Sequence, residues 1–196
     1  IREDLTIENC RMYEKRFPKE NDFVMCRLKE ETDDFCLVEL LEYNNIEGLM
    51  LNTELARKRI RQNKRKYKKG QELVLMVLRV DTDKGYIDLS KKTKNDKFKE
   101  FYLCSKKVHN IMNSIAKKIG EPKLENLYRI FGWKLYEDYA HAYEAFELIS
   151  SNSDLVFKKY ELNTKLKQAI VDVVKDIFVE YPSDKKEYSE VEEIEL

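Results

Sequence analysis

The sequence predicts a five-stranded β-barrel followed by a compact helical domain. Three observations lead there. Five short segments rich in Val, Leu, Ile, Tyr and Phe fall between residues 22 and 92. A long basic excursion, residues 52–69, interrupts them after the third. Beyond Lys92 the apolar residues change to i, i+3, i+4 spacing, the mark of helices packing on a core.

The five strand segments are DFVMCRL, DFCLVELLEY, EGLML, ELVLMVLRV and GYIDLS. Asn44-Asn45 separates the second from the third. Asp83-Lys84-Gly85 separates the fourth from the fifth, where glycine can supply the positive φ of a tight hairpin. In the excursion Asn52 or Thr53 can cap a short helix, with Glu54 in its first turn, and Gly70 ends it. Five strands with a long insertion after the third fit an OB-fold barrel over residues 1–92.

The helical domain is expected over 93–182. Phe98, Phe101, Tyr102, Val108, Ile111, Met112, Ile115 and Ile119 mark a first helix over 97–119, closed by Gly120 and Pro122. Leu124, Leu127, Tyr128, Phe131 and Leu135 mark a second over 123–138. A third covers 140–150, and a brief fourth starts near Asp154. Asn163 is a candidate N-cap for a last helix through Leu166, Ile170, Val174 and Ile177, ending before Pro182. Trp133 and the tyrosines of 128–143 read as helical core. The acidic tail, 183–196, alternates like the first strand of a further α/β domain, and a lone strand is not stable in water.

Composition narrows the function. The formal net charge is zero, yet residues 57–69 carry nine Lys or Arg and no acid, while 187–196 carry five Glu and no base. Such separation points to a local anionic partner. Cys10, Cys26, Cys36 and Cys104 have no C-x-x-C spacing, and with His109 and His141 they suggest reduced thiols and no metal site. No apolar run approaches the length of a membrane span and no signal-like segment opens the chain, so the cytoplasm is expected, with no membrane partner. Nucleotide-binding, nucleophile-elbow and zinc-protease motifs are missing. The expectation is a protein that is not an enzyme, with no catalytic residues and no cofactor.

Two constellations remain. Arg57, Lys58, Arg59 and Arg61 open the basic run and suit RNA phosphates, although composition alone fits a solvated loop as well. Tyr67 is the lone aromatic inside that run. Phe35 and Tyr43 are strand aromatics for which core packing is at least as good a reading. The second constellation is Lys84-Gly85-Tyr86-Ile87-Asp88. Period two sends Ile87 into the core and leaves Tyr86 and Asp88 facing outward as a recognition surface, or as a plain solvent face.

LLEYNNIEG at 40–48, ELARKRIR at 54–61 and RVDTDKGYIDLS at 79–90, preceded by CRMYEKRFP at 10–18, resemble in order and spacing the alpha subunits of eukaryotic translation initiation factor 2. The resemblance implies an S-one type OB-fold, a helical domain and then a C-terminal α/β domain that docks on the gamma subunit. That docking part would lie beyond this chain. It implies a regulatory, RNA-binding subunit of a heterotrimer with beta and gamma, delivering initiator methionyl-tRNA to the small ribosomal subunit, with the arginine cluster near mRNA. Stress-activated kinases would grip Lys84, Gly85, Tyr86, Ile87 and Asp88. They would phosphorylate a serine just before the arginines, and the product would inhibit the guanine-nucleotide exchange factor.

Two departures matter. The acceptor position is Ala56, which has no hydroxyl, and Thr53 matches a serine that is not the main acceptor. Phe35 stands where the family favours glycine. Alternative readings are a pseudosubstrate inhibitor of those kinases, which Ala56 fits and the helical domain does not, or a generic OB-fold RNA-binding module.

Overall fold

The computed structural model describes residues 5–51, 67–91 and 96–180. The chain forms two compact units. One runs from Asn9 to Lys106, and the other takes residues 5–8 with Lys107 onward.

In the first unit five strands close a barrel: β1 (Phe23–Glu31), β2 (Phe35–Leu40), β3 (Ile46–Leu51), β4 (Glu72–Asp81) and β5 (Tyr86–Ser90), in spatial order β1-β2-β3-β5-β4 with β4 returning to β1. All neighbours are antiparallel except β3 and β5, which meet in parallel at Leu49 opposite Asp88 and Met50 opposite Leu89. This is the expected five-stranded barrel. Closure leaves no bare edge among these strands.

Period-two alternation makes the core legible. Cys36, Val38 and Leu40 of β2 are fully buried, and so nearly are Ile87 and Leu89 of β5 and Leu75 and Val77 of β4. Bulges between Leu28 and Glu30 and between Val77 and Arg79 bend β1 and β4. Gly48 is required by a close approach. A Cβ there would sit 2.7 Å from a Leu89 methyl and 3.0 Å from a Leu40 methyl. β2 leads into a 3-10 turn, Leu41–Tyr43. Asn44 and Asn45 follow at φ 56° and 59°, the left-handed region that asparagine tolerates best among residues with a side chain.

The helices are α1 (Asp96–Ile119), α2 (Leu124–Leu127), α3 (Trp133–Asp138), α4 (Ala142–Phe157) and α5 (Thr164–Glu180). The first turns of α1, to Lys106, pack with the barrel unit, and the remainder belongs to the helical unit. In the helical unit Val108, Ile111, Met112 and Ile115 of α1 are buried at helical spacing, together with Leu124, Tyr128, Phe131, Phe146 and Ile170.

One expectation about the helices changes. Residues 123–138 are not one helix. A π turn, Tyr128–Gly132, separates α2 from α3, with the Trp133 N–H donating to the Tyr128 carbonyl. The extra residue in that turn lets Tyr128 and Phe131 both bury fully, and Gly132 leaves the space that the Tyr128 ring and the Met112 methyl fill. The expected third helix and the brief fourth are both present within α4, divided at Asn152, whose φ of −152° and ψ of 93° are not helical. At α5 the Asn163 Oδ1 accepts the Leu166 N–H at 2.8 Å, the cap the sequence predicts. The helix continues to Glu180, the last described residue. The expected cap at Asn52 or Thr53 and the strand-like tail lie outside the described residues.

Candidate functional site

The β4–β5 hairpin is built by one aspartate. Asp81 Oδ1 accepts the backbone N–H groups of Asp83 and Lys84, each at 3.1 Å, and its carbonyl accepts the Gly85 N–H at 2.8 Å. Gly85 sits at φ 73°, which is why glycine is needed there; a side chain would meet no atom within 4 Å. The chain then enters β5 with Asp81 opposite Tyr86.

Ile87 is buried in the barrel core, while Lys84 is exposed and Tyr86 is 58% exposed. Asp88 is half-buried on the outer face and lies 3.7 Å from Arg79 Nε. The hairpin therefore offers, within five residues, an ammonium, a phenol and a carboxylate over a hydrophobic anchor. Such a surface has the chemistry of a docking epitope and holds no reactive group.

The other predicted site residues, Ala56 and Arg57, Lys58, Arg59 and Arg61, lie outside the described residues. The chain returns from that segment at Tyr67. Tyr67 is not available for base stacking: it is 6% exposed, belongs to the barrel core, and carries Lys91 Nζ 5.0 Å from its ring centroid. Tyr43 is likewise core, on the 3-10 turn and not on a strand. Phe35 opens β2 opposite Leu51, half-buried, with its N–H held by Thr32 Oγ1. Leu37 and Leu49 face each other next along the same ladder, so the outside of β2–β3 is largely apolar.

The four cysteines are thiols outside any disulfide, and burial pushes the Cys26 thiol pKa well up. Among the described residues no group of three His, Cys, Asp or Glu side chains could hold a metal. Both histidines have structural tasks. His109 Nδ1 lies 2.7 Å from Tyr128 Oη, and His141 Nδ1 accepts the Tyr143 N–H at the start of α4. Burial lowers both pKa values to about 4. No helix among the described residues is long and apolar enough to cross a membrane.

Sequence reading passed over Glu42. Its side chain is 1% exposed, and its carboxylate accepts the Tyr13 hydroxyl at 2.5 Å and the Met25 N–H at 2.8 Å. Tyr13 Oη also lies 2.9 Å from Ser105 Oγ, and the Glu42 carbonyl accepts the Met12 N–H. One carboxylate thus ties the N-terminal segment and β1 to the 3-10 turn, and the Tyr13 hydroxyl carries the network on to α1. Burial raises its pKa to about 7, against the pull of the Tyr13 and Met25 bonds and with a smaller push from Asp22. The one signal in the sequence is an acid enclosed by Leu40, Leu41 and Tyr43.

Comparison with known proteins agrees with this architecture. The S1 RNA binding domain family matches residues 18–92, and the eukaryotic translation initiation factor 2 alpha subunit family matches 127–192. The factor 2 subunit alpha of Arabidopsis thaliana is 42% identical over 185 residues, 87% of this chain and 54% of that protein. Subunit 1 of the Dictyostelium discoideum factor is 40% identical over 181 residues, covering 87% and 52%. The chain thus spans about half the length of the curated relatives it matches. Among solved structures, the intact alpha subunit of aIF2 from Pyrococcus abyssi superposes with a TM-score of 0.66 at 26% identity, over 82% of this chain and 62% of that one. The a/eIF2alpha chain of a Pyrococcus horikoshii complex with aDim2p and rRNA gives 0.65 at 27%, over 82% and 96%. With the barrel and the helical region each matched in place and relatives aligned along most of its length, this chain belongs to the family of eukaryotic translation initiation factor 2 alpha subunits.

Proposed function

We propose that this chain supplies the RNA-facing and regulatory part of a translation initiation factor 2 alpha subunit, acting in the cytoplasm with beta and gamma subunits to bring initiator methionyl-tRNA to the small ribosomal subunit. The observation that carries this is its match to alpha subunits along 87% of the chain. The closed S1 barrel supports an RNA-side role, as does the rRNA in the Pyrococcus horikoshii complex. Arg57, Lys58, Arg59 and Arg61 supply the phosphate contacts. The chain performs no catalysis of its own.

Regulation enters through the hairpin. Lys84, Tyr86 and Asp88 stand outward over buried Ile87, as a kinase docking on the KGYID segment requires. Ala56 leaves such a kinase nothing to phosphorylate at the family's acceptor position, so control through the exchange factor is lost at that site. The decoy reading rests on Ala56 as well, and sedimentation separates the two. A subunit of the factor cosediments with small ribosomal subunits carrying mRNA and initiator tRNA, and loses that association when the four basic residues become Ala. A chain that inhibits the kinase but never sediments with the ribosomal subunit is a decoy, and the initiation reading fails.

A further inference from the structure

The barrel unit also carries a groove of about 570 Å³, within the range of roughly 300–1,000 Å³ usual for small-molecule sites. Five aromatic rings line it in unbroken succession. Tyr43 of the 3-10 turn lies 5.7 Å from Tyr13, Tyr13 lies 6.1 Å from Phe101, Phe101 lies 6.2 Å from Phe98, and Phe98 lies 6.2 Å from Phe23 at the start of β1. Four separate parts of the chain meet to make that wall. It is not simply core, for Phe101 is 39% exposed and Tyr13, Phe23 and Phe98 are half-buried.

The remaining described lining is polar. Glu42 and Asp22 both border the groove, against the ammonium of exposed Lys97. Both carboxylates are fixed from behind. Glu42 is held by Tyr13 and Met25, and Asp22 Oδ2 accepts the Lys19 N–H at 2.9 Å. The charge that acts on Glu42 is a further negative one, from Asp22. An anion would meet the Asp22 carboxylate and, as pH rises through about 7, a charged Glu42 behind it. A neutral apolar guest would strip water from Asp22 and return nothing. A cation answers both features, since ring faces attract positive charge and the Asp22 carboxylate neutralises it.

We propose that this groove is an aromatic cage for a compact organic cation, a quaternary or methylated ammonium. The cation can be a free small molecule or the tip of a modified lysine on a peptide. Alkylation matters because a bare ammonium is strongly hydrated, whereas a trimethylammonium spreads the same charge over a surface that rings cover without losing strong hydrogen bonds.

The test uses the whole chain with three probes: choline, a short peptide bearing trimethyl-lysine, and the same peptide with a neutral tert-butyl isostere at that position. Ring-proton shifts of Tyr13, Phe98 and Phe101 are followed by NMR. The two cations should saturate these shifts, and the neutral isostere should bind at least about tenfold more weakly. Choline equal to the modified peptide assigns a free cation, and a tighter peptide assigns a protein-borne one. Phe101→Leu and Asp22→Asn alter exposed or half-exposed side chains, so the barrel persists, and each should weaken binding about threefold or more. Equal affinity for the neutral isostere overturns the proposal. So do wild-type affinities in both variants, or no ring shift with any probe at about 10 mM, a concentration that would reveal even a very weak site.

Discussion

Arg79 Nε lies 3.7 Å from Asp88 Oδ2 across the β4–β5 ladder, where the two residues are register partners. Arg79 is 66% exposed and Asp88 35%, so the pair is worth at most about 1 kcal/mol and yields readily to a better partner. A kinase gripping Asp88 would break a weak contact and keep the rigid strand that presents it. Ala56→Ser should therefore create an acceptor, and Ala56→Ser with Asp88→Ala should be labelled several-fold less. Arg79→Ala in the serine background should leave labelling within about twofold, because a surface ion pair holds so little. Radiolabel incorporation over a time course decides it. Equal labelling of the chain as it stands and Ala56→Ser would remove position 56 as the acceptor. Equal labelling with and without Asp88→Ala would remove the docking role.

The basic run should bind RNA weakly and with strong salt dependence. Each phosphate that a basic side chain neutralises adds about 0.7–0.9 to the slope of log K against log salt. Changing Arg57, Lys58, Arg59 and Arg61 together to Ala should flatten that slope in proportion to the phosphates they neutralise. With Tyr67 buried in the barrel, no stacking from that residue offsets the weaker binding. A titration series in which both proteins show one slope would reduce the run to a solvated loop.

The barrel was legible because alternation is a strong signal when one face is wholly buried. Cys36, Val38 and Leu40 on one strand, and Ile87 and Leu89 on another, could face inward in only one register. The hairpin was legible for the same reason, with Gly85 as its punctuation. What failed to show were features decided by distant parts of the chain. Tyr67 sits in a basic run but belongs to the barrel core, since neighbours in sequence say nothing about the side a ring takes. Glu42 resembles any strand-end acid until Tyr13 and Met25 close over it. The π turn at Tyr128–Gly132 keeps the apolar composition of a helix and alters only its phase. His141 gives no sign in the sequence that its ring caps α4.

Gly48 should be a point of low tolerance. It lies on β3 between β2 and β5, where the barrel's parallel pairing is made. A Cβ at 2.7 Å from Leu89 and 3.0 Å from Leu40 must displace two fully packed methyls. Gly48→Ala should cost about 1–3 kcal/mol, the usual range for overpacking. Denaturant midpoints with an unchanged slope would show it, and a cost below about 0.5 kcal/mol would mean that the leucines repack freely.

The two units should respond to pH in opposite directions. Glu42 carries a folded pKa of about 7 against an ordinary 4.5, because burial disfavours its charge. The folded barrel holds that proton over a range where the unfolded chain has released it. Its contribution is full below about 4.5 and is lost as pH rises through about 7. The whole shift is worth on the order of 3 kcal/mol. His109 behaves the other way. Burial lowers its pKa from 6.5 to about 4, so its contribution is full above about 6.5 and is lost as pH falls through about 4. His141 has the same sign. As pH rises from about 4.5 to 7 the barrel should loosen while the helical unit gains, and as it falls over the same range the two should trade places. Trp133, the chain's single tryptophan, is buried in the helical unit, so its fluorescence reports that unit alone. Backbone amides of Val24 and Met25, followed by hydrogen exchange, report the barrel. Between pH 5 and 8 barrel protection should fall, corrected for the intrinsic exchange rate, while the fluorescence midpoint in urea holds or rises. Glu42→Gln keeps the shape and removes the titration, and should flatten the barrel's pH profile without touching the Trp133 signal. A Glu42→Gln barrel with the same pH slope as the parent would show that this carboxylate is not the group responsible.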